Sequence, residues 1–185
     1  MTRPQGHRYL LALGSNMRVG RLGGPRSVLH AAIAELEKRG LDVVASAPII
    51  DSAPIGPSLR RYANTVVGVA TDLPPDRLWP ILRGLEDDFG RRRGGQRWRA
   101  RPLDCDIVLW SGGIFVSSEL AIPHPHFRKR GFVLQPAQRI APHWRDPVTG
   151  LSVRQLAARL TAPRPVTRCT PRGRAVSSVG RATDF

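Results

Sequence analysis

The stretch YANTVVGVATDLPPDRLWPILRGLEDDFG, residues 62–90, sets one strand directly before one helix. Val66, Val67 and Val69 among Thr and Ala give Tyr62 to Leu73 the composition of a strand. Pro74-Pro75-Asp76 suits a first helical turn, and Leu78, Ile81, Leu82, Leu85 and Phe89 follow at three- and four-residue spacing until Gly90 ends the run. The same pairing occurs upstream. Tyr9 to Leu13 reads as a short buried strand ending in the turn-forming trio Gly14-Ser15-Asn16, and a glycine-rich loop runs from Gly20 to Gly24. Pro25 then opens a helix whose stripe is Val28, Leu29, Ala32, Ile33 and Leu36, stopping near Gly40.

Outward from these two units, Val43 to Asp51 and Leu103 to Trp110 have strand composition. The order is strand, helix, strand, strand, helix, strand, which is the ferredoxin-like (βαββαβ) plait of the α+β class. Gly112-Gly113 with Ile114 to Val116 suggests an added hairpin running back on the preceding strand, and Phe132 to Ile140 a helix, so C-terminal helices complete the expected fold.

At 185 residues, 41% hydrophobic and 23% charged, the chain is sized for one globular domain with a real core. Its apolar runs are far shorter than the roughly 20 residues a membrane helix needs. Polar Met1 to Arg8 lacks the pattern of a secretory leader, so a cytoplasmic protein is expected. Cys105 and Cys169 cannot build a disulfide framework and are expected as free thiols. From Pro163 onward five arginines stand against one aspartate and apolar residues thin out, which divides the chain into a domain over 1–162 and a basic, disordered tail over 163–185.

The net charge of +15, from 29 basic and 14 acidic residues, calls for an anionic partner. Arg91, Arg92, Arg93, Arg97, Arg99 and Arg101 crowd one segment with two glycines and Trp98, and that segment reads as a basic loop. Three residues beyond Arg101, Asp104 and Asp106 flank Cys105. Strand alternation sends both carboxylates to one face and Cys105 to the other. Two such anions tolerate each other when a hard divalent cation sits beside them, as Mg²⁺ is held next to substrate phosphates; as plain surface residues they would instead pair with nearby arginines. Guanidinium forks match phosphate oxygens, so an arginine loop beside a metal pair suits phosphoryl transfer, and equally suits a strip that holds RNA phosphates.

Trp98 can stack on a planar heterocycle or anchor the loop. Asn64 offers a donor and an acceptor, suited to the edge of a pterin or purine or to a backbone group. In Pro123-His124-Pro125-His126 the prolines fix the backbone; no further Cys or His at ligand spacing supports zinc, whereas Arg128, Lys129 and Arg130 continue the positive surface. No Walker loop is present.

Four markers in order and spacing, Leu13-Gly14-Ser15-Asn16, Ile55-Gly56-Pro57 with Tyr62-x-Asn64, Arg97-Trp98 through Arg101 to Leu103-Asp104-x-Asp106-Ile107, and Pro123-His124 with Arg130-Gly131-Phe132, resemble the 6-hydroxymethyl-7,8-dihydropterin pyrophosphokinases of folate biosynthesis. The resemblance covers residue 9 to about 160. It implies transfer of the β,γ-pyrophosphoryl group of ATP to the pterin hydroxymethyl oxygen, with release of AMP and with two Mg²⁺ ions. By that resemblance Asp104 and Asp106 hold metal, and Arg91 and Arg101 assist transfer. Glu86, Arg93, Arg97, Ile107, His124 and Arg130 belong to the ATP site, and Ser52, Ala53, Ile55, Tyr62, Asn64, Trp98 and Phe132 to the pterin pocket, with two rings sandwiching the heterocycle. Arg99-Ala100 stands where the family usually has Gly-Pro or Ala-Pro, and Glu119 and Ala121 where it often has a basic or hydroxyl group. The implied partners are ATP and the pterin, with no membrane and no nucleic acid, for a monomeric enzyme.

Two alternatives belong to other classes: a catalytically inactive relative, and an RNA-binding plait, whose strand motif Arg130-Gly131-Phe132-Val133 faintly echoes. The echo sits after a Pro-His loop rather than on a third strand, and an RNA reader has no use for two carboxylates on one face.

Overall fold

A computed structural model describes residues 6–53, 61–90 and 102–162. In chain order these form β1 (His7–Ser15), α1 (Pro25–Lys38), β2 (Asp42–Ser46), β3 (Ile50–Ser52), β4 (Tyr62–Thr71), α2 (Pro75–Asp88), β5 (Asp104–Trp110), β6 (Phe115–Val116), β7 (Ala121–Ile122), α3 (Gly131–Ile140) and α4 (Val153–Thr161), with short 3-10 turns at Gly20–Leu22 and Phe127–Lys129. The fold is mixed α/β, with an antiparallel sheet in the order β2-β4-β1-β5 and β3 also on β4.

Both helix starts follow from proline. Pro25 and Pro75 occupy first-turn positions where no amide hydrogen is needed. α1 ends because Gly40 takes a φ of +81°, which turns the chain so that the Leu41 amide donates to the Leu36 carbonyl. Arg39, at that end, donates to the Ile81 carbonyl of α2 at 3.2 Å and ion-pairs with Asp88, so one side chain ties the two helices together.

α1 and α2 cover one face of the sheet. Val28, Leu29, Ala32 and Leu36 meet Leu78, Leu82 and Leu85 over Leu11, Leu13, Val67, Val69, Cys105 and Ile107. Burying a Leu or Val side chain contributes about 1.5–3 kcal/mol, so this layer is a principal source of stability. Across the sheet, Leu10, Val66, Val108 and Leu109 pack against Val133, Leu134 and Ala137 of α3 and Val153, Leu156 and Ala157 of α4.

The structure corrects the sequence reading in two places, the strand over 43–51 and the hairpin, and locates the second of the expected C-terminal helices. The strand expected over 43–51 is two, β2 and β3, which pair in succession with the ten-residue β4. Between them the Ala47 amide bonds the Val66 carbonyl and the Thr65 hydroxyl bonds the Ala47 carbonyl at 2.7 Å, so the chain bends while staying on β4. Ile114 to Val116 does not run back along β5. It meets that strand only through a bridge from Trp110 to Gly113, and β6 pairs with β7 instead. α4 follows α3 as a separate helix, capped by Ser152, whose hydroxyl accepts the Gln155 amide while the Gln155 side chain accepts the Ser152 amide. Among the described residues, no helix is long and apolar enough to cross a membrane. The expected tail, 163–185, and Cys169 lie outside the described residues; Cys105 is buried.

Candidate active site

Register decides which side chains meet. Along β1, Leu10, Ala12 and Gly14 face the α3/α4 side, and the partners of Ala12 and Gly14 across β5 are Asp106 and Asp104. Cys105 and Ile107 turn the other way, into the core under α1 and α2. Strand alternation therefore holds at the acidic pair, as expected. It fails just beyond, where the register shifts between Leu10 and Leu11 and both Val108 and Leu109 join the α3/α4 layer.

On β4, Asn64 lies opposite Gly14 and Val66 opposite Ala12. Asn64, only 5% exposed, donates from Nδ2 to the Ser52 Oγ at 2.8 Å. Ser52 itself lies opposite Tyr62. Tyr62, Asn64, Ser52, Gly14, Asp104 and Asp106 thus share one face.

The segment before α3 supplies the cations. The Asp106 Oδ2 accepts from the Arg130 Nη1 at 3.1 Å and lies 3.5 Å from the His124 Nε2. The His124 Nδ1 accepts the His126 amide at 3.1 Å, which fixes the ring with Nε2 toward Asp106. Burial, then the neighbouring Asp104, pushes the Asp106 carboxyl up from its ordinary value, against the pull of His124 and Arg130. Burial pushes the His124 imidazole down, with Arg130 and His126 adding to burial and Asp106 opposing it. Phe132 lies in the first turn of α3, and the Arg130 guanidinium lies 5.8 Å from its ring centre. Arg130-Gly131-Phe132-Val133 spans the turn and first helical residues rather than a strand, which removes the RNA-motif echo.

Glu86 sits behind this face. Its side chain is 1% exposed, on α2; Oε1 accepts the Cys105 amide at 2.8 Å and Oε2 faces the Arg83 Nη1 at 3.4 Å. It reaches the acidic pair through the backbone of β5. Ile107, carried with the ATP site by resemblance, is buried in the core beneath α1 and α2. Ala53 follows β3 as an exposed residue. Ile55, Arg91, Arg93, Arg97, Trp98 and Arg101 lie outside the described residues.

Sequence reasoning missed one support of the site. Asp146, fully buried, receives two hydrogen bonds from Arg128, at 2.7 and 2.6 Å, and one from the Thr149 hydroxyl. This clamp holds the turn at Phe127–Lys129, between His124 and Arg130, onto the loop before α4. The available clue was Asp146-Pro147-x-Thr149-Gly150, the composition of a turn whose aspartate bonds its own loop.

The donor set fits a hard divalent cation: two carboxylates on one face with cationic groups beside them, and no cluster of three or more His, Cys, Asp and Glu among the described residues to form an all-protein cage.

Residues 10–142 match the family model described as 7,8-dihydro-6-hydroxymethylpterin-pyrophosphokinase (HPPK). A 2-amino-4-hydroxy-6-hydroxymethyldihydropteridine pyrophosphokinase of Synechocystis sp. is 35% identical over 153 residues, covering 82% of this chain and 75% of the relative. The protein of the same name from Pseudomonas aeruginosa is 37% identical over 142 residues, 76% and 84% of the two chains. Among solved structures, a Plasmodium falciparum HPPK-DHPS chain with pteroate superposes at a TM-score of 0.62 with 12% identity. The match covers 83% of this chain and 42% of that longer one, and bears on the fold alone.

Proposed function

Because the chain belongs to the 7,8-dihydro-6-hydroxymethylpterin-pyrophosphokinase family, we propose that the face bearing Asp104, Asp106, His124, Arg130 and Asn64 is the active site of its reaction. The enzyme transfers the pyrophosphoryl group of ATP to the hydroxymethyl oxygen of 6-hydroxymethyl-7,8-dihydropterin, a step of folate biosynthesis. A bond forms from that oxygen to the β-phosphorus, the bond to the bridging oxygen of the α-phosphate breaks, and AMP and a proton leave. The observation that carries the site is the meeting of two carboxylates with Arg130 and His124 on the sheet face that also bears Asn64.

In this reading Asp104 and Asp106 hold Mg²⁺, two ions with ATP, which supply Lewis-acid stabilisation of phosphate charge when bound. His124 and Arg130 hold phosphate oxygens, joined by Arg93 and Arg97, while Arg91 and Arg101 assist the transfer. Glu86 acts from behind, fixing the β5 amide between the two aspartates, and Ile107 packs beneath them. Ser52, Ala53, Ile55, Tyr62 and Asn64 read one edge of the pterin, with Trp98 and Phe132 as the stacking rings. Positioning and charge stabilisation dominate such a transfer, which agrees with a site rich in cations.

The proposal extends to a ferredoxin-like plait, supported by the order β2-β4-β1-β5 with α1 and α2 on one face. It also comprises a domain over 1–162 with a separate tail, a monomer, and cytoplasmic residence, the last supported by the need for ATP. The test is incubation of the chain with ATP, MgCl₂ and the hydroxymethyl pterin, with chromatography of the nucleotides. Pterin-dependent AMP supports the reading. ADP, or no product from folded protein, overturns it.

A further inference from the structure

His124 and Arg130, the two groups assigned to phosphate, stand at the ends of one short stretch of chain. Each end has its own anchor. The His124 amide donates to the Val108 carbonyl of β5 at 3.1 Å, and the Arg130 carbonyl accepts the Val133 and Leu134 amides of α3 at 3.0 Å. Between them the Phe127 amide donates to the His124 carbonyl at 3.2 Å, and the Arg130 amide to the Phe127 carbonyl at 3.1 Å. The stretch is a stitched turn, and two side chains hold its middle. Phe127, 1% exposed, is sunk into the layer of α3 and α4. Arg128 lays its guanidinium 4.7 Å from the Phe127 ring centre and forks onto Asp146.

Its place in the basic run Arg128-Lys129-Arg130 suits Arg128 to a phosphate, but its fork is engaged elsewhere. Nε and Nη2 donate to the two oxygens of a fully buried carboxylate, which also accepts the Val148 amide at 3.2 Å and the Thr149 hydroxyl at 2.6 Å. The receiving loop closes on itself. The Asp146 amide donates to the Leu151 carbonyl and the Gly150 amide to the Asp146 carbonyl, with Gly150 at a φ of +70°. Taking two ions out of water costs about as much as their attraction returns, so a well-packed apolar pair would serve stability equally. What a two-pronged guanidinium–carboxylate contact adds is a fixed orientation. Here it fixes the residue two places before Arg130.

We propose that Arg128 and Asp146 are positioning residues for the nucleotide: their clamp sets the turn so that His124 and Arg130 face the phosphates together, while Arg128 itself touches no substrate. This rests on the assignment of His124 and Arg130 to phosphate. Ser52, Tyr62 and Asn64, assigned to the pterin, lie on β3 and β4, and Phe132 is carried by α3, whose Val133 and Leu134 have their own packing on the sheet. Loosening the turn therefore weakens the hold on one substrate and spares the other.

The experiment is calorimetric binding of a non-hydrolysable MgATP analogue, with steady-state kinetics in each substrate and thermal melts. It compares the full chain with Arg128→Lys, Arg128→Met, Asp146→Asn and the double variant Arg128→Met with Asp146→Asn. Expected in Arg128→Met and Asp146→Asn is a rise of about tenfold in the Kd for the analogue and in the KM for MgATP, within the roughly 10²-fold that a misplacement of about 1 Å can cost. The KM for the pterin should stay within about twofold, a split that separates one substrate's binding from general damage. Arg128→Lys keeps the charge without the fork and should fall between. The double variant removes both charges, so its melt should recover above that of Arg128→Met, which leaves Asp146 alone, while its Kd stays raised. Arg128→Lys and the double variant carry the test if Arg128→Met does not fold. Affinity that recovers with the melt, an equal rise in both KM values, or an unchanged Kd in every variant overturns the proposal. A parent chain that neither binds the analogue nor makes pterin-dependent AMP instead overturns the underlying assignment, and the proposal with it.

Discussion

Arg130 and Asp106 form an ion pair of 3.1 Å, joining the start of α3 to the outermost strand of the main sheet. The cation assigned to phosphate and a carboxylate assigned to metal therefore neutralise each other, with Asp104 and His124 alongside. Burial and a like charge both work against the ionised form of this carboxylate, which is one reason we propose it for metal.

Asp106→Asn should lower the transfer rate by about 10²–10³, the usual loss when one preorganised electrostatic group is removed, while the circular-dichroism melt stays near the parent. The same holds for Asp104→Asn. Retention of full activity in either variant would sink the metal assignment.

Glu86 offers a sharper contrast. Glu86→Gln keeps an oxygen that can accept the Cys105 amide, whereas Glu86→Leu leaves that amide hydrogen without its acceptor, at a cost of about 1–3 kcal/mol. The Gln variant should retain most of its activity and stability. The Leu variant should lose stability and require more Mg²⁺ for half-maximal rate, measured by metal titration of AMP release. Equal behaviour of the two would place the role of Glu86 in its charge.

The Arg128–Asp146 clamp predicts an acid limb to stability. Burial alone would raise the Asp146 carboxyl, but hydrogen bonds from Arg128, Thr149 and the Val148 amide hold it below its ordinary value of 3.8. A carboxyl depressed in the folded state contributes stability that is present above its unfolded pKa and is lost as the pH falls through the folded one. Urea midpoints should therefore decline as the pH is lowered below 3.8. Asp146→Asn should flatten that decline and cost about 3 kcal/mol at neutral pH, the usual order for leaving one member of a buried pair alone.

Ser152→Ala removes the cap of α4 and should cost about 1 kcal/mol by urea unfolding, with little change in kcat, since α4 supplies none of the residues proposed for the site.

Much of this was legible from residue order. Pro25 and Pro75 fixed the helix starts, and Asp104-Cys105-Asp106 revealed its two faces, because both depend on spacing within a few residues. What escaped depends on partners distant in sequence. Nothing in Val43 to Asp51 reveals that β4 is long enough to take two strands in turn. The irregularity that puts Val108 and Leu109 on one side exists only in the pairing with β1. The row Asn64, Gly14, Asp104 joins three strands whose neighbourhood is a property of the sheet order. α4 had a readable start in Ser152-x-x-Gln155, but its short apolar stripe, Val153, Leu156 and Ala157, is modest beside that of α2.

The seat of Glu86 has a consequence for how copies of the protein treat one another. Among the described residues, β5 is the last strand of its sheet, and such a margin can recruit a strand from another molecule. Here the Cys105 amide is already taken by a carboxylate from α2, and the strand presents two acids to any newcomer. An amide so occupied is withheld from edge-to-edge pairing, and the two acids proposed for metal add a charge cost to the same approach.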